Sequence, residues 1–159
     1  MKINIINQFK TLSFSFFLII GLPILILVRG DEFNISFIIV ITVVLILPIY
    51  LYFEYLYFSK GKVIHLDYVN NSIIIKNNNE EEIIKFDNII LIEKYCSFAV
   101  AEDRVQWIPT DEFLYFQLTL NDGTRRIIPC FITFNFKIPD KEIVIRKKFI
   151  PSIIFPRWR

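Results

Sequence analysis

The chain has 159 residues, a formal net charge of +2 and an apolar fraction of 54%; this length holds one ordinary domain plus a small extra element, and the apolar fraction exceeds that of ordinary soluble domains. Two cysteines and one histidine are too few for a mononuclear zinc centre, which takes about four N or S ligands, and four glycines in all leave no Gly-rich phosphate cradle. The charge is uneven: residues 141–159 carry Lys141, Arg146, Lys147, Lys148, Arg157 and Arg159 against one acid, Glu142, so residues 1–140 are net acidic.

Two stretches lack any charge: residues 11–28, TLSFSFFLIIGLPILILV, and residues 34–53, NISFIIVITVVLILPIYLYF. Each is about 18–20 residues, and at roughly 1.5 Å per residue a helix of that length crosses a hydrocarbon core of about 30 Å. A helix also satisfies its own backbone, which lipid cannot do. Lys2 and Lys10 resemble the basic start of a signal peptide, but no small-x-small cleavage site follows, so retention as a helix is the better reading. Only Arg29, Gly30, Asp31 and Glu32 clearly separate the two stretches, and so short a link forces an antiparallel hairpin. Residues 1–58 are therefore expected to form a transmembrane helical hairpin. Pro23 and Pro48 predict mild kinks. No ionisable residue lies within either span, which argues against a transport path.

Orientation follows from the flanks. Lys2 and Lys10 precede the first span and Lys60 and Lys62 follow the second, while the turn carries one arginine against two acids. The positive-inside rule then predicts a multi-pass protein of the inner (cytoplasmic) membrane with both termini cytoplasmic. Tyr50, Tyr52, Tyr55 and Tyr57 would lie near the cytoplasmic headgroups. The sequence alone permits a disulfide between Cys96 and Cys130, and that compartment favours free thiols instead.

From Gly61 onward the hydrophobic period changes to two. Strands are expected over residues 62–67, 72–76, 80–86 and 89–95, with turns at Asn70-Asn71 and Asn77-Asn78-Asn79, where asparagine tolerates the left-handed region. A looser stretch covers residues 96–112, with a possible short strand at 105–108. Residues 113–120 and 124–133 predict a hairpin turned at Asn121-Asp122-Gly123. Beyond it, either a short helix at 139–142 or a last strand through Ile143-Val144-Ile145 fits. Pro151 and Pro156 stop regular structure. The expected fold class is thus membrane α + β: a two-helix hairpin, a small mainly antiparallel β domain over residues 59–148, and a basic aromatic tail over 149–159.

Ile64-His65-Leu66-Asp67 before an Asn turn, Ile84-Lys85-Phe86-Asp87-Asn88-Ile89 with a following Ile92, and the hairpin centred on Asn121-Asp122-Gly123 resemble the PH-like β domains of small bacterial membrane proteins. Phe149-Ile150-Pro151-Ser152-Ile153 is similar to their tails. The resemblance covers residues 61 to 153 and lacks a long C-terminal helix. It implies a binding scaffold in a barrel or sandwich form, with no catalytic residues, metal or cofactor attached to it.

The residues themselves agree in offering little chemistry. His65 has Asp67 on its face of a strand but no nucleophile beside it. Glu80, Glu81 and Glu82 alternate faces in a strand and so do not converge on one cation. The irregular stretch Glu102, Asp103, Arg104, Trp107, Asp111 and Glu112 is a candidate partner-binding loop, since loops on rigid scaffolds carry recognition and Trp is a common anchor; the alternative is that Trp107 closes one end of the core. Arg146, Lys147, Lys148, Arg157, Trp158 and Arg159 are candidate lipid contacts, because each basic residue near an anionic leaflet contributes about 1 kcal/mol. Tethering at a bilayer makes lipid, rather than nucleic acid, the nearer anion. The expected function is a non-enzymatic, membrane-anchored module that binds a protein partner or itself. The alternatives are a membrane-bound immunity protein that neutralises a toxin, or a sensor of anionic phospholipid headgroups.

Overall fold

The structure, a computed structural model, describes Gly21, Ile24 and residues 35–77, 80–104 and 110–154. Helix α1 spans Ile35–Ser59 and contains Pro48; its side chains are described at Thr42 and from Ile46 onward. It stops where Gly61 takes a φ of 74°, a left-handed position that ends helices and that glycine occupies without a Cβ penalty. Apart from Gly21 and Ile24, the first expected span lies outside the described residues, as do most side chains of the second. Among the described residues, no helix is long and apolar enough to cross a membrane.

The two sides of α1 differ sharply. Leu51 and Tyr55, one turn apart, are fully buried. The Tyr55 ring packs against Phe113 at 5.1 Å and Phe131 at 5.9 Å, and Tyr52 meets Phe131 at 5.4 Å. Ile46, Ile49, Phe53 and Tyr57 recur at helical spacing along another face and are 58%, 39%, 62% and 75% exposed.

The described residues after α1 form seven strands in two sheets. The first sheet is β1 (Lys62–Asp67), β2 (Ser72–Asn77) and β3 (Glu80–Lys85), antiparallel in sequence order. Ile64 lies opposite Ile75, which lies opposite Glu82. The β1–β2 turn is built by Asp67, whose carboxylate accepts from the backbone N–H groups of Val69 and Asn70 and from Asn70 Nδ2 at 2.7 Å, and by Asn71 at a φ of 49°. These are the strands and turn the alternation predicts. A short 3-10 helix, Phe86–Asn88, fills the gap between the strands expected at 80–86 and 89–95, and it leads into the second sheet.

That sheet has the order β6-β5-β4-β7, from β4 (Ile89–Cys96), β5 (Leu114–Leu120), β6 (Arg125–Pro129) and β7 (Ile143–Lys147). The β5–β6 hairpin turns at Gly123, whose φ is 79°, and Asp122 Oδ1 accepts from the Thr124 amide and hydroxyl. Phe116, Leu118 and Ile128 share one face of the sheet with Arg126, which reaches Glu82 of the first sheet. Both sheets thus enclose one core.

Three features depart from the expected meander. Residues 143–147 are a strand, and it lies parallel to β4, with Ile92 opposite Ile143; neither alternation nor turn chemistry encodes that non-local pairing. Strand β6 ends at Pro129, and the chain coils through buried Phe131, Ile132, Phe136 and Ile138, with Phe136 packed on Phe116 at 5.5 Å. A one-turn helix, α2 (Phe98–Ala101), occupies part of the loop; Ser97 caps it by accepting from the Val100 amide. The possible strand at 105–108 lies outside the described residues. Cys96 and Cys130 are both buried and neither is in a disulfide.

Candidate interaction surfaces

A cleft of about 630 Å³ opens between the sheets, lined by Lys62, Ile75, Asn77, Glu80, Glu81, Glu82, Arg126 and Ile127. Arg126 spans it with a two-pronged pair to Glu82, Nε at 2.8 Å from one carboxylate oxygen and Nη2 at 2.7 Å from the other. That fork holds β6 to β3 and gives the Arg126 guanidinium an even higher pKa than usual. Lys62 is partly buried beside it. Desolvation, and then the Arg126 charge, lowers the Lys62 pKa. Its Nζ lies 5.8 Å from the centre of the Phe58 ring. Glu81 pairs with Lys76 at 2.8 Å. Glu81 and Glu82 therefore form two separate pairs on opposite faces, as their alternation requires, with no shared cation. Among the described residues no group of three His, Cys, Asp or Glu side chains is placed to hold a metal ion.

A second polar cluster lies on the other sheet. Glu93, only 4% exposed, accepts from Gln117 Nε2 at 3.0 Å, Tyr95 Oη at 3.2 Å and Arg146 Nε at 2.8 Å. The Tyr95 and Tyr115 rings stack at 4.8 Å, and Lys148 Nζ lies 5.1 Å and 5.3 Å from their centres while donating to Tyr115 Oη and the Ser152 carbonyl. This network ties β7 to β4 and β5.

The third site joins the tail to α1. Tyr55 Oη donates to the Pro151 carbonyl at 2.6 Å, Ser152 Oγ donates to Glu54 Oε1 at 2.8 Å, and the Ile154 amide donates to the same oxygen. Glu54 is 4% exposed, and its Oε2 is buried without a hydrogen-bond partner among the described residues. Burial pushes the Tyr55 hydroxyl well above its ordinary pKa, so it remains a donor. Sequence reasoning missed this clamp because no local pattern links Glu54 to Ser152.

The structure scatters the residues singled out from sequence. Glu102 is exposed and pairs with both Arg104 and Lys147 at 2.7 Å. The Lys147 hydrogen bond, then the Arg104 charge, holds its carboxyl below the ordinary range. Asp103 sits at a φ of 51° in the turn after α2. Asp111 is buried and its carbonyl accepts from Ser97 Oγ; Glu112 is half-buried. Trp107 lies outside the described residues. The loop thus divides into an exposed acidic turn and a buried return. In the basic group, Arg146, Lys147 and Lys148 all engage partners within the domain, whereas Arg157, Trp158 and Arg159 lie outside the described residues. His65 is exposed on β1 opposite Ile74.

A protein-family model described as a PH domain matches residues 2–140. The chain belongs to this family. The match spans both apolar segments and the strands up to β6, and it stops before β7. No curated protein and no solved structure matches the chain. PH domains are in general non-catalytic modules that bind proteins or lipid headgroups, and the two mainly antiparallel sheets agree with that fold. The resemblance read from the strand motifs is therefore correct at the level of the domain.

Proposed function

We propose that this PH domain is a non-enzymatic interaction module held on the cytoplasmic face of a membrane by its N-terminal helices, where it binds a protein partner. The observation that carries this reading is the two-sided helix α1. One face is cemented into the domain core by Leu51 and Tyr55, and another presents Ile46, Ile49, Phe53 and Tyr57 outward. Moving an exposed Ile or Phe out of water contributes about 1.5–3 kcal/mol per side chain, so a bilayer around this stripe is a favourable solvent for it. Because α1 is continuous from the apolar segment to Ser59, the domain would sit at a fixed distance from the leaflet. A rigid mount suits a docking platform.

The anionic-lipid alternative is weakened because Arg146, Lys147 and Lys148 already serve Glu93, Glu102 and Tyr115. The decisive experiment is alkaline extraction of membranes carrying the full chain, together with a periplasm-specific reporter fused after Arg159. The protein should stay in the pellet and the reporter should be silent. Release into the supernatant would remove the anchor, and an active reporter would reverse the orientation. Neutralising Arg146, Lys147 and Lys148 should leave association with anionic liposomes unchanged.

A further inference from the structure

Among the described residues, β3 pairs only with β2 and β7 only with β4, so each is an edge strand with one row of backbone N–H and C=O groups open. Proteins guard such edges with charge, because an open edge is a template for another strand. These two edges are guarded with opposite signs. Strand β3 reads Glu-Glu-Glu-Ile-Ile-Lys, and β7 reads Ile-Val-Ile-Arg-Lys with Lys148 following. Each also exposes a large aliphatic side chain, Ile83 at 63% and Ile145 at 49%.

We propose that β3 of one copy adds antiparallel to β7 of another, with Ile83 opposite Ile145. This inference rests on the reading of the domain as a protein-binding module and names its partner as a second copy of the chain. In that register Glu81 meets Lys147 and Ile84 meets Val144; Glu80 lies opposite Lys148 and Glu82 opposite Arg146, but Glu82 stays bonded to Arg126, Arg146 to Glu93 and Lys148 to Tyr115 within each copy, and Lys85 lies opposite Ile143. Directly opposed side chains in an antiparallel pair lie on one face and interact, and opposite charges or paired aliphatics are favourable there. The same edges discriminate against self-pairing. Two antiparallel β3 strands would set Glu81 and Glu82 against Ile84 and Ile83, with only Glu80 against Lys85 matched at the ends, and two β7 strands would set bases against Ile and Val. A parallel arrangement of either would oppose like charges. Attraction to the other edge combined with rejection of its own kind is how specificity arises.

Glu81 and Lys147 keep their partners Lys76 and Glu102 within the chain. These are half-exposed ion pairs, which contribute little and are readily shared. The affinity comes from backbone hydrogen bonds and the Ile83–Ile145 contact, and the charges set the register. The contact is heterologous, with different patches on the two copies, so it propagates into a row or closes into a ring.

The test uses the full chain in mild detergent. Combining Ile83→Cys with Ile145→Cys in one chain should give, on oxidation, a ladder of crosslinked species beyond the dimer, and neither single variant should give the ladder. Light scattering should show self-association weakened at least tenfold by E81K and by K147E separately, and restored by E81K with K147E, with circular dichroism confirming each fold. A wild-type chain that stays monomeric, a double-cysteine chain that crosslinks no more than the singles, or a charge swap no better than its components would each overturn the pairing. If a charge variant fails to fold, the cysteine arm, which alters only exposed side chains, still decides. Membrane extraction of the same samples separates the two readings: a chain released from the membrane that still forms the ladder loses the anchor and keeps the pairing.

Discussion

In the first sheet each strand hydrogen-bonds to the strand next to it in sequence, and the β1–β2 turn is specified by its own residues, Asp67 and Asn71. The second sheet takes its outer strand, β7, from the far side of a coil that threads Phe131, Phe136 and Ile138 through the core. It also carries the load of α1 on Tyr55, Phe113 and Phe131. The first sheet is thus stabilised mainly by local contacts, and the second by contacts between segments remote in sequence. Perturbations of remote contacts should therefore spread through the molecule, and those in local turns should stay local.

The largest expected effect is at the helix mount. Tyr55→Ala removes a fully buried ring and its bond to the Pro151 carbonyl, at a cost of about 3–5 kcal/mol by analogy with other aromatic truncations in cores. Tyr55→Phe keeps the ring and should cost about 1 kcal/mol. Denaturant unfolding of the full chain in detergent measures both. Equal losses in the two variants would show that the tail clamp, rather than the ring, holds the helix.

Next is Glu93. Its removal in Glu93→Ala leaves Gln117, Tyr95 and Arg146 without their common acceptor, and hydrogen bonds to a charged group contribute about 1.5–3 kcal/mol. The loss should fall near the lower end, because Arg146 is half-exposed and regains water. Amide exchange should speed up in β7 and β4 and stay unchanged in β1–β3. Equal acceleration in both sheets would erase the proposed difference between them.

A smaller and more local effect is expected at Asn71, whose φ of 49° places it in the left-handed region. Asn71→Ala should cost about 1 kcal/mol, since a Cβ without a side-chain hydrogen bond is disfavoured there, and Asn71→Gly should be neutral or better. Exchange should rise around the β1–β2 turn alone.

What could be read in the sequence follows the same division. The turns at Asn70-Asn71 and Asp122-Gly123, and the alternation of β1, β2, β3, β4 and β5, are encoded within a few residues, and they were legible. The parallel seat of β7 depends on Ile92 meeting Ile143 across the fold, and Arg146, singled out in the sequence as a candidate lipid contact, finds Glu93 only once that seat is taken. Glu54, which follows the second uncharged stretch in the sequence, is a buried acceptor for Ser152 and Ile154 because the tail returns to it. The site residues were hard to place for one reason: charge pattern reports what a side chain carries, and only the non-local fold decides what it meets.

The smallest effect is with pH, and here the two sheets should behave alike. Asp67 closes a turn in the first sheet and Asp122 one in the second. The Asn70 side-chain amide, followed by the Asn70 backbone N–H, holds the Asp67 carboxyl below its ordinary pKa; the Thr124 hydroxyl, followed by its amide, does the same for Asp122. A carboxyl with a lower pKa folded than unfolded stabilises the fold fully above its unfolded value. It loses that contribution as the pH falls through the folded value. Both turns should therefore weaken only at pH below the ordinary aspartate range, and both carboxyls should titrate there in NMR. Replacing Asp67 or Asp122 by Ala should flatten the acid limb of thermal stability by similar small amounts. A much steeper loss from one of them would show that its turn does more than close a local hairpin, and the division between local and remote contacts would have to be drawn elsewhere.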